Sequence, residues 1–533
     1  MFSTSILLPA LLCLTQKVSS HPACRPEMNN KAAAMAKAVY ILTNDETNGV
    51  LALPVGNDGT LSKGQVAKTG GAGSIAVDAD GNPATPDALV AQSALTVAGN
   101  MVFAVNAGSN TLSMLTVSRS DPTKLEMVGK PIDVPGEFPN TVAASAKSNI
   151  VCVGMTGAKA GVSCASFSNK GLGAMDELRP FDIKQTTPPK GPTNTVSQVL
   201  FSDDDSMLFA MVKGDPAVNN TGFMASFNVE QANGAMAVSK NEARSSPEGT
   251  AVLFGSQVIP GTSKVFATDA SFGAAILDVD AKTCEATTVA TGAVEGQAAT
   301  CWVAISPVTK TAFVTDVGRN RVVEMSLEDA SVVSELDLTC NGDPGLIDLA
   351  AAGNFIYALS PGNGTTEAAV TVLDVSGGSG SAKMVQHFEL KGMAGKTAMG
   401  MKVMISSIYS IWIVTSAMAS KVSYIKVRAS QDDLAQAIGN SFPHSRMCDS
   451  SAVAIRIGKL DGCSDANRVI EIIPGEPKPL LTCSTPYRQS SRNNGGDESL
   501  ELVYMASGGG DATKDIDTEA VVKWIYKPGL RFS

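Results

Sequence analysis

Glu137 and Arg319 are the side chains best suited to chemistry: the carboxyl can move a proton, and the guanidinium can clamp a carboxylate bidentately. Histidine, whose proton affinity suits neutral pH without adjustment, would be the sharper sign of a catalyst. The chain has three, His21, His387 and His444, and none falls where the repeats described below would turn it toward a channel. No C-x-x-C, H-E-x-x-H, G-x-x-x-x-G-K-[ST] or G-x-S-x-G occurs, so zinc, nucleotide and serine-hydrolase chemistry have no motif to stand on. Asp203-Asp204-Asp205 precedes Ser206-Met207 and reads as a solvated acidic turn rather than a calcium loop. No metal and no cofactor is expected.

The elements that must hold those residues are repeats. A β-branched or aliphatic residue, usually an aromatic, then small and apolar residues and an Asn/Asp/Gly/Ser turn recur along the chain. The copies begin at Val39, Val102, Val151, Leu208, Val265, Ala312 and Ile356, 44 to 63 residues apart. That spacing fits one four-stranded blade with variable loops. The third copy, Val151-Cys152-Val153-Gly154, has no aromatic. Short strands, dense turns and almost no 3.6-residue periodicity predict an all-β, seven-bladed β-propeller over 37–395. A twisted sheet cannot bury both faces alone, so blades pack face to face, and the abundant Ala and Gly suit the crowded axis.

In such a ring the segment ahead of each motif strand faces the central channel. Those segments carry Gln92, Glu137, Asn140, Gln198, Gln297 and Asp348, with Asp269, Asp316 and Arg319 at the turns that follow. Glu137 is the acid/base candidate and Arg319 the anion clamp, although an Arg319–Asp316 pair on one turn is the blander reading.

The chain resembles fungal secreted proteins similar to 3-carboxymuconate cyclase, within the lactonase-type (YVTN-like) propellers. The stretches that carry the resemblance are Val105-Asn106-Ala107-Gly108-Ser109-Asn110-Thr111, Gly136-Glu137-Phe138-Pro139, Gln185 to Pro192 and Gly296 to Trp302. The resemblance implies a seven-bladed ring, export, and a place in the medium or cell wall. It also implies cyclase or lactonase activity on a small carboxylated lactone, run by a channel histidine with arginines. That histidine has no counterpart here, so the first expectation is a surface or binding protein, and the second a lactonase or cycloisomerase.

A formal charge of −10 repels a phosphate backbone, so nucleic acid is not an expected partner. A small carboxylated lactone or cell-wall carbohydrate is, for a chain expected to be a monomer. Residues 1–20, with an apolar run from Ile6 to Leu14, read as a signal peptide. Cys152 and Cys164 flank a Gly-rich turn and can pair across a hairpin, while Cys284 and Cys301 are a second possible pair. Sequons at Asn219 and Asn363 sit in turns where a glycan would reach water. Beyond Gly395 the repeats fail. The run Val403 to Ser420 is uncharged but rich in Ser, Thr and β-branched residues, which favours buried strand over membrane helix. Residues 396–533 are read as an atypical extension, poorly ordered or translated from non-coding sequence.

Overall fold

A computed structural model describes residues 36–405 except 233. Further along it describes the strands Ile408–Ser416, Val422–Ser430, Ala452–Gly458, Val469–Glu471, Val503–Met505 and Glu519–Lys523 by backbone alone. The first two of these pair with each other, and the other four form a separate sheet. The expected signal peptide at residues 1–20 and most of the extension lie outside the described residues.

Seven antiparallel sheets of four or five strands follow one another from Ala36 to Ile405 and make the ring. In chain order the motif copies are the second strands, Ala36–Leu42, Met101–Asn106, Ile150–Met155, Met207–Val212, Lys264–Asp269, Thr311–Asp316 and Phe355–Ser360. Six innermost strands immediately precede theirs: Leu95–Ala98, Pro139–Ser145, Val196–Phe201, Leu253–Val258, Thr300–Ile305 and Ile347–Ala352. The innermost strand of blade one comes from the other end, where Met399–Ile405 pairs antiparallel with Ala36–Leu42, setting Val403 opposite Val39 and Met401 opposite Ile41. The ring therefore reaches ten residues past the expected boundary at Gly395. Its closing strand opens the uncharged run, where MGMKVMI carries little alternation to announce it.

The motif aromatic cements neighbouring blades. Tyr40, Phe103, Phe209, Phe266, Phe313 and Tyr357 are all buried. Tyr40 donates its hydroxyl to the Pro122 carbonyl (2.7 Å) of blade two, and Tyr357 to Gly59 (3.1 Å) of blade one. Phe103 meets Phe167 of blade three edge-on, with centroids 4.8 Å apart. Gly59 has φ 79°, and a Cβ there would stand 2.4 Å from the Phe355 ring, so the turn that receives Tyr357 needs glycine. Each such aromatic supports its blade contact at a level where truncation costs about 3–5 kcal/mol.

Blade three lacks the aromatic because Cys152 occupies its position. Cys152 lies opposite Cys164 in the register, and a disulfide joins them. Cys284 and Cys301 do not pair. Cys284 sits on an outer turn of blade five, its thiol donating to Asn228 Oδ1 (3.3 Å), whereas Cys301 is on the innermost strand of blade six, and both are free.

Antiparallel pairing sorts the loops. Those entering each innermost strand and those joining second to third strands lie on one face, here called upper; the remaining turns lie on the lower face.

Candidate functional site

The loop between Gln65–Lys68 and Leu95–Ala98 is far longer than its counterparts, and its second half runs into the ring axis. The main chain of this plug offers its polar groups to the blades around it. The Leu89 carbonyl accepts from Asn140 Nδ2 (3.1 Å), Val90 from Lys213 Nζ (2.6 Å) and Ala91 from Trp302 Nε1 (3.2 Å). Gln92 exchanges two bonds with Val303 of blade six, Nε2 to the carbonyl (2.8 Å) and Oε1 from the amide (3.2 Å). A Cβ on Gly255 of blade five would meet Gln92 Oε1 at 2.2 Å, so this strand also lacks a side chain to let the plug in. Ser93 Oγ accepts from Gln198 Nε2 (3.3 Å), and the Ser93 carbonyl accepts from the Val142 amide. Val90 and Ser93 hold φ of 50° and 66°, the left-handed region that non-glycine residues, and β-branched Val90 above all, avoid, and so many bonds to fixed strands can enforce it.

Of the predicted channel residues, Asn140 and Gln198 hold the plug at the axis, and Gln92 belongs to the plug they grip. Asp348 is fully buried at φ 54°, with its carboxylate accepting from the Leu349 amide (2.8 Å) and the Met401 amide (2.8 Å) of the closing strand. Burial pushes its carboxyl up to about 6. Gln297 is not in the channel; it braces its own upper loop, donating to Ala270 O (2.9 Å) and accepting from Thr300 N (2.9 Å).

Glu137 and Arg319 are not brought together. Glu137 stands on the upper loop entering blade three, where Oε2 accepts from Thr187 Oγ1 (2.5 Å). Arg319 is exposed on a one-turn 3-10 helix, Val317–Arg319, on the upper side of blade six. Nor does it pair with Asp316. That carboxylate accepts from Arg321 Nε (3.0 Å) and from the Ala298 and Ala299 amides, and Asp269 holds the Ala251 and Val252 amides in the same way one blade earlier. Both aspartates end a second strand and pin the loop entering their own blade. The Asp203–Asp205 turn is tied up locally: Asp204 accepts from Ser202 and Ser206, which hold its carboxyl down to about 2, and Asp205 accepts from Ser145 Oγ.

Below the plug the channel opens into a cavity of about 490 Å³ lined by residues from all seven innermost strands. Gln92 and Ser93 roof it, and Ser202, Asp203, Asp205 and Pro260, from lower-face turns, border its mouth. Its wall mixes apolar side chains such as Val142, Val199 and Leu349 with Thr96, Gln198 and Ser256. The Ser256 hydroxyl is buried without a hydrogen-bond partner. Lys402, on the closing strand, is the one cation of the lining. Sequence reasoning passes over Lys402 and Lys213, because a lysine inside or just after an apolar strand carries no motif.

No protein-family profile matches the chain, and no curated protein matches it. Similar solved structures include lactonase-type propellers. A periplasmic gluconolactonase from Pseudomonas aeruginosa is 13% identical, with 68% of this chain and 99% of that one covered, at a TM-score of 0.48. A putative 6-phosphogluconolactonase from Bacteroides fragilis is 10% identical, covering 71% and 100%, at 0.46. The apo form of AztD from Citrobacter koseri is 12% identical, covering 70% and 99%, at 0.38.

Proposed function

We propose that the protein is an exported binding propeller that takes a small ligand into its axial cavity through the lower mouth, and that Glu137 and Arg319 do not form a lactone-processing pair. The plug carries this reading: it fills the channel between the upper loops, where both residues stand, and the cavity. The candidate ligands are a small carboxylated molecule or the end of a cell-wall glycan, either of which a cavity of about 490 Å³ can enclose. Export is supported by the Cys152–Cys164 disulfide, a bond that persists in oxidising compartments. Asn219 and Asn363 are both exposed, on upper loops of blades four and seven, so glycans there would leave the lower mouth clear.

The test is a thermal-shift and calorimetric screen of small carboxylates, lactones and short glycans. Saturable binding is expected, abolished by Ala350→Phe, which fills the cavity, and unchanged by Glu137→Gln or Arg319→Ala. Turnover of muconolactone or gluconolactone that is lost on Glu137→Gln would overturn the proposal in favour of a lactonase or cycloisomerase.

A further inference from the structure

Lys402 has the setting of a reactive amine rather than of a structural charge. Within the described residues its Nζ makes no hydrogen bond and no ion pair within 4.0 Å, and its half-buried side chain lines the cavity. The carboxylate that its charge reaches, Asp348 of blade seven, is behind the wall and committed to the Leu349 and Met401 amides. On the other side, Leu95–Ala98 of blade two brings Thr96 and no charge, while Asp203 and Asp205 stand at the mouth. Lys213 supplies the contrast. It is fully buried where Lys402 is half-buried, and its Nζ is held by the Val90 carbonyl, 4.1 Å over the Phe254 ring, away from the cavity.

We propose that Lys402 captures carbonyl compounds: a small aldehyde or ketone enters the cavity and condenses with Nζ as a Schiff base. This rests on the cavity being the ligand site. The neutral amine's lone pair attacks the carbonyl carbon, and the carbonyl oxygen takes a proton to give a carbinolamine. That hydroxyl leaves with a second proton as water while the nitrogen lone pair forms the C=N bond. One amine and one carbonyl give one imine and one water, with no change of oxidation state. Desolvation lowers the proton affinity of Lys402, so more of it is a nucleophile at neutral pH than of a surface lysine.

The full-length protein is incubated with glyoxylate, pyruvate or glycolaldehyde in the presence of sodium cyanoborohydride, and the reduced adducts are mapped by peptide mass spectrometry. Lys402 is expected to label several-fold faster than the exposed lysines, because desolvation draws its amine toward the neutral, nucleophilic form. Lys402→Arg, which keeps the charge, is expected to lose that fast adduct, and Ala350→Phe to slow it. Because the wild-type protein alone supplies the ratio, a variant that fails to fold does not obscure the result. Labelling spread evenly over surface lysines overturns the proposal. If a ligand binds saturably with no Lys402 adduct, the Schiff base falls and the binding cavity stands. If neither binding nor preferential labelling is found, both fall.

Discussion

Replacing Gln92 by Leu tests whether the plug holds the ring together. The substitution keeps most of the side-chain volume but removes both bonds to Val303, leaving an innermost-strand amide and carbonyl buried with no partner. Each orphaned group costs about 1–3 kcal/mol, so the variant should lose about 2–6 kcal/mol. With an unfolding entropy of about 2.1 cal/mol/K per residue over about 370 ring residues, each kcal/mol lowers Tm by roughly 1.3 °C. The expected drop is therefore about 3–8 °C by calorimetry. Gln297→Leu serves as the control, because it loosens only its own surface loop. If Gln92→Leu melts within about 1 °C of wild type, or no lower than the control, the plug does not bind the blades and the argument from its hydrogen bonds is wrong.

Reducing the Cys152–Cys164 bond, or replacing both cysteines by Ala, should cost about 3 kcal/mol from loop closure alone, read as a lower urea midpoint. Asp348 binds its proton more tightly in the fold than when unfolded. Its stabilisation is therefore complete below the ordinary carboxylate range and lost as pH rises through about 6. Acidifying from pH 7.5 to 5 should raise its contribution by about 1.4 kcal/mol, and Asp348→Asn should flatten that part of the Tm profile. Burial lowers Lys213 to about 8, which has the opposite sense: stability present at high pH is lost as pH falls through 8, and Lys213→Met should remove that loss. A chain stopped after Gly395 should show no cooperative melt, and a peptide spanning Met399–Ile405 added in trans should restore it by pairing with Ala36–Leu42.

The second strands are legible in the sequence because one buried aromatic among small residues, repeated at blade spacing, has few structural meanings. Even the deviant copy is informative, since Cys152 takes the aromatic's place and bonds across the hairpin instead. The pairing of Cys284 with Cys301 is misleading because nearness in the chain places them in successive blades, one outside and one inside. The plug is invisible to periodicity. Its partners grip main-chain carbonyls of Leu89, Val90 and Ala91, and a carbonyl is the same at every residue. Asn140 and Gln198 can be assigned to the axis from the repeats, yet what they hold there is a loop rather than a ligand, and Asp348 holds the closing strand. Glu137 and Gln297 fail as channel residues because they sit one turn too early, on the loop that enters the blade.

The sheet that joins both ends of the ring also sets the timetable of synthesis. Ala36–Leu42 leaves the ribosome among the first folded segments, but its inner neighbour, Met399–Ile405, emerges only after every other blade has been made. Contacts so distant in the chain are slow to form, so the first strands to be translated are the last to be completed. A nascent chain caught in between would present the bare edge beside Val39 and Ile41 to any chaperone or translocation machinery that reads unfinished β-structure.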